Sequence, residues 1–241
     1  VQLPSLSCDF FKLTRTEGKD TGETFRQFSI RKGDFIFADR GYCHNAGIDH
    51  VRRHKAYVTV RLNPTSVRIS GDSNQPFSLL KQLLPLRRPG TIKSWDVTVS
   101  GQLGHAVRGR LCVVRKSQEA TELAQKKLRR RASKQGEVLQ PETLEYAKYV
   151  MLFSTFPKST FSDAAILEWY RVRWQVELVF KRFKSIAGLG HLPKHDDQSS
   201  KAWLYGKLFV ALLIEKLIGY ASSVSPWGYL LEESQASQSM A

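Results

Sequence analysis

Four polar residues lie at fixed spacing in one stretch that contains no proline or glycine: Tyr170, Arg173, Glu177 and Lys184. The stretch is rich in residues that favour helices, so the sequence predicts one helix across it. At about 100° per residue, the four side chains share a narrow stripe roughly 21 Å long. A carboxylate binds a hard divalent cation, and a phenol with flanking cations holds phosphates. The stripe could therefore place a nucleic-acid phosphodiester on a metal ion; a solvated face of a basic helix is the alternative.

The same predicted helix carries an apolar face opposite the polar stripe. Thr160 or Ser162 can cap its start, Asp163 adds negative charge to the first turn, and Gly188 follows its end near residue 187. We expect the apolar face to pack on the core and to leave the polar stripe accessible. This face consists of Ala165, Trp169, Val172, Val176, Val179, Phe183 and Ile186.

A second carboxylate follows a short apolar run. Phe35–Ala38 has the pattern of a buried strand, and Asp39 ends it directly before a break at Arg40 and Gly41. Open α/β sheets place their active sites at the carboxyl ends of central strands, which favours a catalytic Asp39. The alternative is that Asp39 caps the helix predicted over residues 42–54.

Further elements follow from the periodicity of the chain. Alternating β-branched residues predict a strand over 56–62. Strand patterns recur at 91–100 and 110–115, with glycines between them that are typical of a hairpin-like connection, and again at 146–155. A short helix is predicted over 77–84. Strands interspersed with helices indicate an α/β protein.

Two more helices are predicted, one of them strongly basic. The helix over 117–135 contains the run Lys126–Arg131, which is either a solvated face or a surface that follows the DNA backbone. The helix over 199–220 is apolar, and we expect it to pack through Trp203, Leu204, Leu208, Leu212 and Leu217.

Composition points to a polyanionic partner. The 241 residues contain 37 Lys and Arg against 22 Asp and Glu, a net charge of +15, and nucleic acid is the simplest ligand for such a surplus. An anionic membrane surface is the competing partner, but no stretch has the length of a membrane span. Three cysteines without a C-x-x-C pair indicate a reduced, intracellular protein, which we expect in the cytoplasm.

The spacing Tyr170-x2-Arg173-x3-Glu177-x6-Lys184 resembles the signature of the insertion-sequence transposases of family four, which have a DDE catalytic core. The run from Ala38 to Tyr42 resembles the second aspartate motif of that family and precedes the helical motif in the expected order. The resemblance implies an α/β fold with a ribonuclease H-like mixed sheet flanked by helices and interrupted by a mainly β insertion subdomain.

The resemblance also implies the roles of individual residues. Asp39 and Glu177 would be catalytic carboxylates that hold Mg²⁺, or Mn²⁺ in its place, at a two-metal site. The implied activity is metal-dependent DNA nicking and strand transfer during transposition, with transposon-end and target DNA as partners and a homodimer in the DNA complex. The transposon end would be held by Tyr170, Arg173 and Lys184.

Domain boundaries follow from the same resemblance, which covers residues 1–215. We expect a truncated first part of the core at 1–62, a β-rich insertion with the basic helix at 63–145, and the rest of the core at 146–221. A tail at 222–241, rich in Ser and Gln, is expected to be disordered. Arg61, near the end of the strand after the aspartate motif, is either a phosphate contact or a solvated strand end.

The family has a third carboxylate, on the first strand of its core. Asp9 lies in the region that follows that position, so we do not assign it this role. Two carboxylates rarely suffice for two metal ions, and the chain is expected to be a fragment that is inactive by itself. An inactive DNA-binding remnant and a stand-alone nuclease of the same fold are the alternatives.

Overall fold

The computed structural model of the chain describes Leu3, Leu13, Gly188 and residues 24–71, 75–100, 105–186 and 196–223. The predictions for Asp9 and for the tail beyond residue 223 lie outside the described residues. No helix in the described part of the chain is long and apolar enough to cross a bilayer.

A six-stranded mixed sheet forms the centre of the described structure. Its strand order is β1-β2-β6-β5-β4-β3; β1 and β2 are parallel and all other neighbours are antiparallel. The strands, in chain order, are β1 Phe35–Ala38, β2 Tyr57–Arg61, β3 Ile69–Gly71, β4 Ile92–Ser100, β5 Ala106–Arg115 and β6 Tyr149–Ser154.

The described residues also contain seven α-helices, so the predicted mixed α/β class is confirmed. Short 3₁₀ turns lie at Phe25–Gln27 and Arg40–Tyr42. The helices are α1 Asn45–Arg53, α2 Leu79–Leu83, α3 Gln118–Gln135, α4 Pro141–Tyr146, α5 Asp163–Arg173, α6 Val176–Ile186 and α7 Asp197–Ser223.

The strands of residues 63–145 belong to the same sheet as β1, β2 and β6. The predicted hairpin is confirmed, since β4 pairs with β5 from Ile92 opposite Val114 to Ser100 opposite Ala106. The chain divides into two compact units, one of Thr14–Arg173 and one of Val1–Leu13 with Trp174–Ala241. The expected domain boundaries at residues 62 and 145 stay a prediction.

The strand that leads to Asp39 is not a central one in the described sheet. Among the described strands, β1 pairs only with β2, with Ala38 opposite Val60, and it stands at one edge. The expectation of a central strand therefore stays a prediction, since it concerns the pairing of β1 with residues outside the described ranges.

The two faces of the sheet pack different elements. One face contributes Val58, Val60, Leu111, Val113 and Phe153 to a core that also contains residues of α1 and α2. The other face contributes Cys112 and Leu152, which pack with Ile166 and Tyr170 of α5.

The predicted continuous helix is two helices, and this prediction was wrong. Helix α5 ends at Arg173 and α6 begins at Val176. At the junction the amides of Glu177 and Leu178 donate, at 2.9 Å each, to carbonyls only three residues back. These are 3₁₀-type hydrogen bonds, which replace the four-residue hydrogen bonds of an α-helix. No proline or glycine marks the break, which is why the sequence did not indicate it.

The expectation of one apolar face was wrong as well. Helix α5 buries Ile166 and Tyr170 against the sheet, whereas α6 buries Val179 and Phe183 against α7. On one continuous helix these two pairs would lie on opposite sides, at about 100° per residue. Two separate cores therefore receive two different faces, and Tyr170 of the predicted accessible stripe lies in one of them.

Helix α7 also departs from its predicted packing. Leu208 is buried, and Trp203, Leu204 and Leu212 are half-buried as expected, but Leu217 is 58% exposed. Its buried face is thus narrower than the apolar composition of the helix indicated.

An ion pair fixes the start of α5 on the sheet. Ser162 caps the helix, its Oγ accepting from the amide of Ala165 at 3.1 Å. The next residue, Asp163, accepts from Arg110 Nη1 at 2.7 Å and from Ser94 Oγ at 2.5 Å. The side chain of Arg110 is only 4% exposed and also donates to the carbonyl of Phe161. A charge buried in a strand of the sheet thus holds the helix that carries Tyr170 and Arg173.

Replacing Asp163 by Ala is expected to destabilise the protein by about 3–5 kcal/mol, because it leaves the buried charge of Arg110 without its counter-ion. Urea denaturation would measure the loss. The matched control combines Asp163→Leu with Arg110→Met, which removes both charges and should recover much of the stability. A loss below about 1 kcal/mol for Asp163→Ala would mean that the pair behaves as an exposed one.

Candidate active site

Asp39 lies directly after β1 and before the 3₁₀ turn Arg40–Tyr42. Its side chain makes no capping hydrogen bond; the backbone carbonyl accepts from the amide of Tyr42 at 3.1 Å instead. The carboxylate Oδ1 accepts a hydrogen bond from the Tyr170 hydroxyl at 3.2 Å, and 49% of the side chain is exposed. The alternative of a capping side chain is thus not what the structure shows: the carboxylate faces α5 and solvent.

Tyr170 reaches Asp39 from within the core. The residue is 8% exposed and packs with Cys112, Leu152 and Ile166. Burial raises the pKa of its hydroxyl well above the ordinary value, the charge of Arg173 opposes this, and Asp39 adds to it. The phenol therefore keeps its proton, and its role towards Asp39 is that of a donor.

Arg173 completes this contact from the last turn of α5. Its guanidinium lies over the Tyr170 ring, 5.1 Å from the centroid, and its Nη2 is 3.9 Å from Asp39 Oδ1. Its Nε is buried and has no hydrogen-bond partner among the described residues. Tyr170 and Arg173, three residues apart, thus converge on one carboxylate oxygen and leave one buried donor unused.

Further cations surround this carboxylate. Arg40 Nη2 donates to Asn63 Oδ1 at 2.7 Å, and the pKa of Arg40 is lowered by burial and then by the charges of Arg61 and Arg131. Arg61 ends β2, one position past the pairing of Ala38 with Val60, so it neighbours Asp39 on the adjacent strand.

Lys116 is near enough to Arg61 for the two positive charges to interact. Burial and then the charge of Arg61 lower its pKa to about 8, and its Nζ donates to the carbonyl of Ala147 at 2.7 Å. We call the group with one carboxylate and four cations the Asp39 cluster; it consists of Asp39, Arg40, Arg61, Lys116, Tyr170 and Arg173. Such a surplus of positive charge suits an anionic ligand.

Glu177 and Lys184 are described with the other compact unit. Both are exposed on α6, Glu177 in the first turn and Lys184 in the last. Seven residues separate them, about two helical turns, so they share one side of α6. The structure thus brings together Asp39, Arg61, Tyr170 and Arg173, while the approach of Glu177 and Lys184 to them stays a prediction.

The donors for a metal ion are of a suitable kind but few. Both contacts of Asp39 fall on Oδ1, and its half-exposed carboxylate is a hard oxygen donor of the type that Mg²⁺ prefers. Among the described residues no group of three or more His, Cys, Asp or Glu side chains could hold a metal ion. The Asp39 cluster therefore holds a divalent ion only together with further carboxylates.

Sequence reasoning missed two members of the Asp39 cluster. Arg40 was interpreted only as part of a break, and Lys116 was not singled out. Arg40 could have been found, because it adjoins Asp39 in the motif. Lys116 could not, because it reaches Arg61 through the pairing of β5, β6 and β2, which no local pattern encodes.

Comparisons with known proteins find similarity to transposases over most of the chain. A family model described as a transposase DDE domain matches residues 12–213. The putative transposase InsL of insertion sequence element IS186A from Escherichia coli K12 is 29% identical over 219 residues, which are 88% of this chain and 58% of that protein. The transposase of element IS421 from Escherichia coli has the same identity and coverage.

A more distant relative comes from another bacterium. The transposase of insertion sequence element IS231B from Bacillus thuringiensis subsp. berliner is 22% identical over 223 residues, which are 82% of this chain and 44% of that protein. The chain thus spans about half the length of the curated relatives that it matches.

Two substitutions at Tyr170 separate the ring from the hydroxyl. Tyr170→Phe keeps the buried ring and loses one hydrogen bond to a half-exposed carboxylate, so it should cost about 1 kcal/mol. Tyr170→Ala removes the ring from the core and should cost about 3–5 kcal/mol. Urea denaturation measures both losses of stability. Equal losses would contradict the larger contribution of the ring.

Lys116 predicts a dependence of stability on pH. Its pKa is about 8 in the folded protein and 10.5 in the absence of the fold, so the unfolded chain binds more protons between these values. Stability should therefore rise with pH across this window. All other titrating groups are common to the native chain and the Lys116→Met variant. The free energy of unfolding of the native chain minus that of the variant should therefore increase from pH 7.5 to pH 10. A constant difference would contradict the lowered pKa.

Proposed function

Because this chain belongs to the family of transposases with a DDE domain, we propose that it acts in DNA transposition by nicking transposon ends and joining them to target DNA. The observation that carries the proposal is the convergence of Tyr170 and Arg173 on Asp39 within a surplus of positive charge. The nucleic acid would lie where a reactive carboxylate and phosphate-binding cations are neighbours.

We further propose that the fold is ribonuclease H-like. Support comes from the parallel pair β1 and β2 joined through α1, with the carboxylate after β1 and the helix α5 on the sheet. In this proposal residues 1–62 and 146–221 form the core and residues 63–145 an insertion whose strands extend the sheet.

The DNA backbone at the transposon end would be held by cations and one phenol. Arg173, whose Nη2 lies 3.9 Å from Asp39 Oδ1, would bind a phosphate oxygen through its guanidinium. Arg61, on the strand beside Asp39, would contact a neighbouring phosphate, and Lys184 would add a point charge from α6. Tyr170 is too buried to bind along its ring, so its hydroxyl orients Asp39 and meets the DNA only at that edge.

The metal would be Mg²⁺, with Mn²⁺ as a substitute. Asp39 and Glu177 are the donors that this chain would contribute, and a third carboxylate is needed beside them. When bound, such ions activate a water or a DNA 3′-hydroxyl and stabilise the leaving oxygen. We propose that two copies of the protein act together, since joining requires both ends of one element.

A second candidate function is that of a DNA-binding protein without cleavage activity. It is favoured by the single carboxylate of the Asp39 cluster and by the lack of a three-carboxylate group in the described residues. This function would keep the dependence on salt that cation–phosphate contacts produce and would show no dependence on metal ions.

Nicking of a supercoiled plasmid that carries the element's ends distinguishes the two functions. We expect the 241-residue chain to bind the plasmid and to nick it only weakly with Mg²⁺ or Mn²⁺, because two carboxylates are too few. Robust nicking by the native chain that is lost in the Asp39→Asn variant would contradict the expected weak activity. It would also establish Asp39 as a catalytic residue. Nicking that Asp39→Asn leaves unchanged would remove Asp39 from the proposed chemistry.

The roles of the carboxylates can be tested without turnover. Fe²⁺ with ascorbate generates radicals that cut a polypeptide beside the bound ion, and we expect cuts near Asp39 and Glu177 when DNA is present. Asp39→Asn should weaken both cuts, whereas Asp34→Asn, a carboxylate before β1, should leave them unchanged. Cuts at neither carboxylate would favour the metal-independent binding protein.

A further inference from the structure

The basic helix α3 presents five cations on one side. At about 100° per residue they occupy an arc of roughly 140°, and every one of them is exposed. The buried residues Thr121 and Ala132 lie on the opposite side, where Gln125 Nε2 donates to the carbonyl of Leu144 at 3.0 Å. The five, which we call the α3 cations, are Lys126, Lys127, Arg130, Arg131 and Lys134.

The α3 cations repel one another without compensation. Lys126 and Arg130, like Arg130 and Lys134, are four residues apart, a spacing at which like charges destabilise a helix. No Asp or Glu occurs between Glu122 and Glu137, and none of the five forms an ion pair in the described part of the chain. A solvated face would gain from interspersed carboxylates, so this arrangement favours an external anion.

Both ends of α3 are capped. Ser117 caps its start, its Oγ accepting from the amide of Ala120 at 3.2 Å, and Gly136 ends it with a left-handed φ of 64°. At the end of the basic run, Arg131 is close enough to Arg40 for its charge to lower the pKa of that guanidinium. Arg131, one of the α3 cations, thus lies near Arg40, which adjoins Asp39 in the chain.

We propose that α3 binds the phosphate backbone of the duplex DNA that flanks the strand held at Asp39. This inference rests on the proposed function and extends it to a surface with a class of ligand. Lysines and arginines that contact only phosphates carry no sequence information, so we expect a helix side that lies along the backbone to bind independently of sequence.

The dimensions agree with a short stretch of one DNA strand. The eight steps from Lys126 to Lys134 span about 12 Å at 1.5 Å per residue. Phosphates of one strand advance by about 3.4 Å along the duplex axis, so roughly three of them lie within that length. The row Lys126, Arg130 and Lys134, at one turn per step, is the part that best follows a strand.

The test is the salt dependence of DNA binding, measured by fluorescence anisotropy with a labelled duplex in EDTA so that cleavage does not enter. The variant replaces Lys126, Arg130 and Lys134 by Gln, which keeps a favourable helix propensity. Losing about three phosphate contacts should reduce the slope of log K against log salt by about 2–3, since each contributes about 0.9. The reduction should be equal for duplexes with and without the element's end sequence.

The matched control removes three exposed cations elsewhere, by replacing Lys81, Arg87 and Arg88 with Gln. Both variants carry the same net charge, and circular dichroism verifies that both keep their helices. A slope that changes by less than about 1 in the control supports the α3 surface. Equal changes in both variants would show an effect of net charge alone and overturn the inference.

Failure of the inference and failure of the proposed function give different results. Unchanged binding by the α3 variant, with steep salt dependence in the native chain, would overturn the α3 surface and leave the Asp39 site as proposed. Absence of salt-dependent DNA binding by the native chain would overturn both.

Discussion

The ion pair between Arg110 and Asp163 is the constraint on which the candidate site depends. Arg110 is buried in the middle of the sheet, and its counter-ion is the first residue of α5. Seven residues further, about two turns, Tyr170 lies on the sheet face and reaches Asp39. A helix whose start is held by a buried charge has little freedom to slide, so the distance between hydroxyl and carboxylate is a consequence of packing rather than of the motif itself.

The electrostatics of the Asp39 cluster then decide what it can do alone. The cations near Asp39 attract phosphates strongly, whereas they repel a divalent cation. Under the proposed function, DNA would neutralise these cations, and other carboxylates would join Asp39 in holding the metal ion. Binding of nucleic acid would thus precede and favour binding of metal, an order that links the charge of the surface to its chemistry.

The continuous helix predicted for residues 170–184 shows where sequence reasoning stops. The spacing of Tyr170, Arg173, Glu177 and Lys184 led to the correct family, yet the geometry inferred from that spacing was wrong. Helices α5 and α6 bury opposite sides because each packs on a different core. Tyr170 consequently belongs to the interior, and its link to DNA passes through the carboxylate that it orients.

Local physics accounts for what the sequence by itself determined. Alternation and apolar runs located β1, β2, β4, β5 and β6. Ser162 was one of two predicted caps of α5, and residue type at fixed spacing indicated the carboxylate after β1. Each of these depends on neighbours within a few residues. The strand order, the side of α5 that is buried and the approach of Lys116 and Arg131 to the neighbours of Asp39 were decided only by the tertiary structure. They depend on contacts between residues distant in sequence, whose energies no local pattern contains.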